Sequence, residues 1–367
     1  MSSGTKCDNT LSFFEKVVKN AKKEREGLDN FLPRIYNPYI TNTHEAKVGN
    51  KRKKKMKQKL LFVFNPHSGT GEICKHLAEV LDVFTQRGYE VVAYPTQAAG
   101  DGKRKVLEEG ENYERIVVAG GDGMLHEVLN GVMRLNKEVV VGYIPSGTVN
   151  DFATTHRLPK NNIMEAAKIA AGDNIRLVDV GKFGDTYFSY VAAFGIATNV
   201  AYDTDQKAKK RWRILAYVAN IFKSLLGRNK FKAACRKMTI DTGEVVIKGK
   251  FVFGAIYNSL SIGGVKNFID KEVVLDDGLI EGLFIEKPKN LKAWEQLGKG
   301  LLTRDFNSPG LVFVRAKRFQ IYSEEAAWTL DGENGGKHTQ IVVSAQQKAL
   351  HIACPKEEGV EEKQMIE

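Results

Sequence analysis

From Lys59 onward, short apolar runs alternate with stretches whose apolar residues fall three and four apart. The run KLLFVF beginning at Lys59 predicts a buried strand, NPHSGTG a turn, and Glu72 to Phe84 a helix with Ile73, Leu77, Val80, Leu81 and Phe84 on one face. A strand at YEVVAY, a charged helix from about Asp101 and a strand at RIVVA follow. The glycine turn GGDG then opens a helix at about Asp122, and a strand at EVVVGYI leads into IPSGTVNDFA. Strands alternating with helices predict an α/β unit with a mainly parallel sheet. Ligands of such sheets sit at the carboxyl ends of the strands, where NPHSGTG, GGDG and IPSGTVNDFA all fall.

After about Leu177 the texture changes. RLVDVGKF, TYFSYVAAF, KMTIDTGEVVIKG, KFVFGAIYNS, GLIEGLFIE, LVFVRAKRFQIYS and TQIVVSAQQKALHIAC are closely spaced strand candidates, as in an antiparallel sandwich or barrel. The expected organisation is a basic extension over 1–57, an α/β nucleotide-binding domain over 58–178, a β-rich substrate domain over 179–354, and an acidic tail over 355–367. The last strand of the β-rich part has the option of returning to the first domain. One helical pattern, Gln206 to Leu226, interrupts the strands and sets Lys207, Lys209, Lys210, Arg211 and Arg213 beside Trp212, Ile214, Leu215, Tyr217 and Val218. That composition suits either a packed helix with a solvated face or a helix lying on a membrane.

At 367 residues, 43% hydrophobic and 27% charged, the chain has the composition of a globular protein with room for two domains. No apolar run reaches the roughly 18 to 20 residues of a membrane span, and the N-terminus lacks the apolar centre of a signal peptide, so the expected location is the cytoplasm. Cys7, Cys74, Cys235 and Cys354 are too scattered for a zinc ribbon or a disulfide framework. The net charge of +11 is uneven. The first 60 residues hold 15 Lys and Arg against 6 Asp and Glu, leaving 40 against 38 for the other 307. Its peak, KRKKKMKQK from Lys51, and an amphipathic pattern over residues 11 to 28 are readable as a solvated leader or as a device for an anionic membrane surface. Aromatic interleaving is missing from the basic run, so no nucleic-acid partner is expected.

The glycine loops carry the chemistry. Glycine lets backbone approach a ligand closely, and a helix N-terminus favours anions, so phosphate is the natural guest. Asp122 puts a carboxylate at that anion site, which points either to an intervening cation or to a helix cap. PSGTVND repeats the combination with Gly147, Thr148, Asn150 and Asp151, and acid-rich loops without paired histidines favour magnesium. NPHSGTG lacks the GK[ST] ending of a P-loop, no GxGxxG follows a strand, and His126-Glu127 does not begin HExxH.

NPHSG, GGDG followed by HEVLNG, PSGTVNDFA, LVDVG, VVLDDGL and TLDGE, in this order and spacing, resemble the diacylglycerol kinase catalytic-domain family, in its bacterial soluble branch. The resemblance runs from about Lys59 to Cys354. It implies an α/β domain and a β-sandwich domain with the active site in the cleft between them. It also implies transfer of the γ-phosphate of ATP to the hydroxyl of diacylglycerol or a related lipid alcohol, with Mg²⁺ as cofactor. By this resemblance Asn65, Ser68, Gly69, Thr96, Gly120, Gly121, Asp122, Gly123, Glu127, Gly147, Thr148 and Asn150 would hold the nucleotide. Asp122, Asp151 and Asp179 would form a carboxylate network through magnesium-bound water, and the backbone of Val274 and Leu279 with the carboxylate of Asp277 a separate structural magnesium site. Asp331 would be the general base, with Glu333 beside the metal. From residues alone, Asp331-Gly332 and Asp277-Gly278 are equally readable as hairpin turns.

The family usually has Thr and Asn where this chain has Met124 and His126, and a small or apolar residue where it has Asp101. The resemblance further implies a peripheral enzyme at the inner membrane face and leaves a homodimer open. A dinucleotide kinase sharing GGDG and a β-rich partner domain, and a non-catalytic lipid or nucleotide sensor of the same fold, are the competing readings.

Overall fold

A computed structural model describes residues 58–69, 71–195, 235–262, 265–266, 273–303 and 305–356. These belong to one compact unit, Met56–Glu367. The basic arm, the helical patterns at 11 to 28 and 206 to 226, and the acidic tail lie outside the described residues.

The first part alternates as its pattern predicts: β1 (Lys59–Phe64), α1 (Glu72–Lys75), α2 (Leu77–Gln86), β2 (Glu90–Pro95), α3 (Asp101–Glu109), β3 (Arg115–Gly120), α4 (Asp122–Val132), β4 (Val140–Pro145), α5 (Asp151–Thr155) and α6 (Ile163–Ala170). The strands pair in parallel, in the order β2-β1-β3-β4. Both sheet faces are covered, which is why these strands read as unbroken apolar runs. Leu61, Val63, Ile116 and Val118 pack on one face with Leu125, Val128 and Leu129 of α4. Leu60, Phe62, Val117 and Ala119 pack on the other with Val80, Phe84, Ala166 and Ala170. The single helix expected from Glu72 to Phe84 is two. It breaks at His76, which leaves helical geometry (φ −104°, ψ 10°) and bonds Glu79 Oε2 at 2.7 Å.

The second part comprises β5 (Ile175–Phe183), β6 (Thr186–Phe188), β7 (Val191–Gly195), β8 (Arg236–Asp241), β9 (Val246–Tyr257), β10 (Ser261–Ile262), β11 (Val265–Lys266), β12 (Ile280–Glu286), α7 (Leu291–Thr303), β13 (Leu311–Ala316), β14 (Arg318–Leu330) and β15 (Glu333–Ala353). Apart from one parallel contact, these strands pair antiparallel. The long strands β9 and β14 each pair with β7 near one end and with β8 near the other, closing a four-strand circuit. Phe194, Phe251, Phe284, Phe319 and Trp328 fill one core of this part. A second core, with Tyr190, Tyr257, Leu283 and Ile285, also takes Leu297 of α7.

The parallel contact joins the two parts. The end of β15 lies beside β4, His351 opposite Val140 and Ile352 opposite Val141. One continuous sheet therefore runs from β2 to β13. TYFSYVAAF, expected as one strand, is split at Ser189 and Tyr190, and the reason lies in the site.

Trp328 is 2% exposed and sits 4.8 Å from Phe194 and 5.1 Å from Phe183, ring centre to ring centre. Trp328→Ala is expected to lower stability by about 3–5 kcal/mol, read from the shift in the urea unfolding midpoint. A loss under about 1 kcal/mol would show that this core collapses around the gap.

Candidate active site

Three loops meet at the carboxyl ends of β1, β3 and β4. After β1, Asn65 donates its amide N–H to Ala119 O at 3.0 Å, and its side chain accepts from His67 N at 2.9 Å. Ser68 Oγ donates to Ser146 O at 3.4 Å. Gly69 adopts φ +59°, and any Cβ there would collide with Ser146 O. The β3 and β4 loops touch at Gly121 and Gly147, where a Cβ on Gly147 would meet Gly121 Cα at 2.5 Å. Glycine is required here because backbone lies against backbone.

Asn150 braces the third loop. It takes the left-handed conformation at φ 54°, which asparagine tolerates, and its side chain accepts from Gly147 N at 3.1 Å and donates to Gly147 O at 2.8 Å. The Tyr143 hydroxyl adds a bond to Asn150 Oδ1 at 3.2 Å. Asn150 thus shapes the loop with the atoms expected to hold nucleotide. Glu127 is likewise engaged, because its two oxygens accept from Gly100 N at 2.7 Å and Gly102 N at 3.0 Å, capping α3 from the side of α4. Thr96 is buried and donates to Phe64 O at 3.4 Å, whereas Thr148 is exposed on the loop. Ser146 was missed by sequence reasoning, and its Oγ is buried at this junction without a hydrogen-bond partner.

The carboxylates gather beside these loops. Asp122 opens α4, yet its Oδ2 accepts from Asp151 N at 3.1 Å and so caps α5 rather than its own helix. Its Oδ1 is buried and has no partner. Burial, and then the neighbouring Asp151 and Asp331 carboxylates, push Asp122 up to about 7 against the pull of nearby amides. Asp151 Oδ1 accepts from Ser261 Oγ at 2.7 Å, a partner contributed by the β-rich part. The Glu333 carboxylate lies over the turn, where Oε1 fills the space a Cβ on Gly123 would need.

Asp331 and Gly332 form the β14–β15 hairpin turn, with φ +52° and +88°. The turn reading holds, and the Asp331 carboxylate points inward and is fully buried. Its Oδ2 accepts from Ser189 N at 2.6 Å, Ser189 Oγ at 3.1 Å and His126 Nδ1 at 3.0 Å. Its Oδ1 accepts from Tyr190 N at 2.9 Å and Val191 N at 3.1 Å. The strand expected at TYFSYVAAF breaks at Ser189 and Tyr190 because their amides turn toward this carboxylate. The polar Ser-Tyr pair inside an apolar run is the only trace of it in the sequence.

Asp179, expected to join Asp122 and Asp151 in a network through magnesium-bound water, has both oxygens on backbone amides. Its oxygens accept from Gly278 N at 2.6 Å and Lys348 N at 2.7 Å, bracing the Asp276-Asp277 turn, and burial pushes it above the usual carboxylate range. Asp277 Oδ1 accepts from Leu279 N at 2.9 Å, and its Oδ2 is held by the guanidinium of Arg315, whose Nε also lies 3.0 Å from Glu281 Oε1. Val274 is exposed nearby. Both oxygens of Asp277 are thus engaged within the protein. At Asp122 the opposite holds, because an unpartnered buried oxygen among like charges fits a divalent cation. No group of three or more His, Cys, Asp or Glu converges as a metal cage among the described residues.

The family profile for the diacylglycerol kinase catalytic domain matches residues 59–183. A diacylglycerol kinase of Bacillus subtilis (strain 168) is 30% identical over 301 residues, covering 81% of this chain and 97% of the relative. The chain belongs to the diacylglycerol kinase family. A diacylglycerol kinase of Staphylococcus carnosus (strain TM300) is 29% identical, covering 82% of this chain and 97% of that one. The fold matches a crystal structure of a diacylglycerol kinase from Bacillus anthracis str. Sterne with a TM-score of 0.63 at 23% identity, over 81% of this chain and 97% of that one. Membership makes this protein a lipid kinase, and no helix among its described residues is long and apolar enough to cross a membrane.

The raised Asp122 of this kinase has a thermal signature. Its folded value of about 7 lies above the unfolded 3.8, so its ionisation destabilises the fold increasingly as pH rises through that window and fully above it. In metal-free protein, Asp122→Asn is expected to raise Tm at pH above about 7 and to change it little near pH 4. Added Mg²⁺ should raise the Tm of the wild type and not of the variant. A variant equally shifted at both pH values would mean that Asp122 is not held as the geometry implies.

Proposed function

We propose that this kinase transfers the γ-phosphate of ATP to the hydroxyl of diacylglycerol or a related lipid alcohol, giving phosphatidic acid or its equivalent. The cleft between an α/β domain over 58–178 and a β-rich domain over 179–354 is the proposed active site, with the last strand returning to the first domain through its pairing with β4. The observation that carries this reading is the meeting of three glycine loops with a carboxylate whose buried oxygen has no partner. Glycine backbone at Gly69, Gly121 and Gly147 leaves room for phosphate oxygens, and the Ser146 hydroxyl is an uncommitted donor beside them. Asp122, with Asp151 and the nearby Glu333, would hold Mg²⁺. When bound, that ion would neutralise charge on the transferring phosphoryl group. The chain itself positions and desolvates the reacting groups, which is most of what phosphoryl transfer requires.

The proposed setting is the inner membrane face, with the protein cytoplasmic and peripherally bound. The arm over residues 1–57, with its net basic charge, suits anionic lipid.

Transfer of label from γ-labelled ATP with Mg²⁺ into micelles of diacylglycerol or other lipid alcohols, beside soluble NAD, tests the acceptor. Label is expected in one lipid, with turnover lost in Asp331→Asn; label only in NAD would overturn the reading. Deleting residues 1–57 is expected to cut activity on anionic vesicles much more than on neutral detergent micelles, and equal losses on both would remove the arm from membrane docking.

A further inference from the structure

One short segment of the β-rich part, residues 258–261 between the end of β9 and the start of β10, reaches the surroundings of three separate acids. Asn258 N donates to Tyr190 O at 3.2 Å, and Tyr190 N in turn donates to Asp331 Oδ1. Asn258 Nδ2 donates to Asp179 O at 3.1 Å, beside the Asp276-Asp277 turn. At the other end of the segment Ser261 Oγ donates to Asp151 Oδ1 at 2.7 Å. Asn258, Ser259 and Ser261 are all buried, Ser261 with 0% exposure.

Counting hydrogens shows how firmly Ser261 is held. A serine hydroxyl has one hydrogen and two lone pairs. Ser259 Oγ donates to Ser261 O at 2.6 Å and accepts from Ser261 N at 3.1 Å, so the Thr155 hydroxyl, 2.7 Å away, is the donor to its remaining lone pair. Ser259 thus grips both backbone polar groups of Ser261, and Thr155 grips Ser259. Ser261 also pairs with Lys266 of β11. Its hydroxyl hydrogen goes to Asp151. The segment therefore clamps α5 at both ends, through Ser261 at Asp151 and through Ser259 at Thr155. With no solvent reaching Ser261, bulk water cannot replace a lost donor there.

We propose that Ser261 is a positioning residue for the Asp122 and Asp151 carboxylates, holding Asp151 so that both acids face one Mg²⁺. This rests on the magnesium of the proposed function. Two neighbouring carboxylates repel and turn apart unless something outside the pair holds them. Asp122 is fixed by the Asp151 amide, at 3.1 Å from its Oδ2, and the Asp151 carboxylate is fixed by the Ser261 hydroxyl. Hydrogen bonds of this outer kind orient the groups that meet a metal, and losing one weakens metal binding. Because Ser261 comes from the β-rich part and Asp151 from the α/β part, the cation site is complete only while the two parts are docked.

Full-length wild type, Ser261→Ala and Thr155→Val are titrated with Mg²⁺ without nucleotide, and the midpoint is read from the rise in Tm. Thr155→Val removes a buried hydroxyl bond of the same clamp without touching either carboxylate, so it reports what mere loosening does. Both variants are expected to lower the Tm of metal-free protein. The Mg²⁺ midpoint is expected to rise about 10–100-fold in Ser261→Ala and to stay within about threefold of wild type in Thr155→Val. The Mg²⁺ needed for half-maximal γ-phosphate transfer into diacylglycerol micelles should rise in the same variant alone, with kcat recovering at saturating Mg²⁺, because the bound ion then holds Asp151 itself. Where Ser261→Ala does not fold, Ser261→Cys is read with the same expectation, since its thiol has nearly the same shape and is a weak donor. An unchanged midpoint in the Ser261 variant overturns the proposal, as does an equal rise in both variants. A wild type whose Tm does not respond to Mg²⁺ overturns the magnesium reading itself, and this proposal with it.

Discussion

The buried carboxylate of Asp331 is the constraint around which the candidate site of this molecule is arranged. A carboxyl group with no solvent exposure is costly unless its oxygens are hydrogen-bonded. Here the donors come from three places: the amides exposed where β6 ends and β7 begins, the Ser189 hydroxyl, and the ring of His126 on α4. Satisfying one carboxylate thereby breaks a strand, fixes the hairpin that carries Glu333 and ties the β-rich part to the helix behind GGDG.

The neighbouring acids show how environment separates like residues. Asp122 keeps an oxygen without a partner and is driven up to about 7 by burial and by its neighbours. Asp151 leans on Ser261, and Asp179 is spent on the Asp276-Asp277 turn. At that turn the positive charge beside Asp277 is supplied by Arg315. Four carboxylates thus hold four different positions in the electrostatics of the molecule.

Much of the scaffold was legible. Unbroken apolar runs over Lys59–Phe64 and Arg115–Gly120 meant strands covered on both faces, and the glycine loops after them marked the carboxyl edge where the site lies. Less legible were the uses to which polar side chains are put. Glu127 and Asn150 lie in the recognised motifs, yet they spend their hydrogen bonds on a helix cap and on a loop. Ser146 and Ser189 carried no signal beyond being polar at the edge of an apolar stretch. The break at His76 was likewise hidden, because helical spacing of apolar residues continues across it.

The order of strands and helices, the positions of the glycine turns and the family that their motifs indicate were determined by the sequence itself, because apolar periodicity and glycine are local properties. Which acid faces which was decided only by tertiary structure. Asp331 and His126 are 205 residues apart, and their 3.0 Å contact exists because β14 turns back at Asp331 beside β7 while α4 passes behind it. The partners of Asp179 have the same origin, since β5 pairs with β15 and that carboxylate meets the amides of Gly278 and Lys348. Pairings between distant strands leave no periodic trace in the chain, and it is those pairings that assign each polar group its partner.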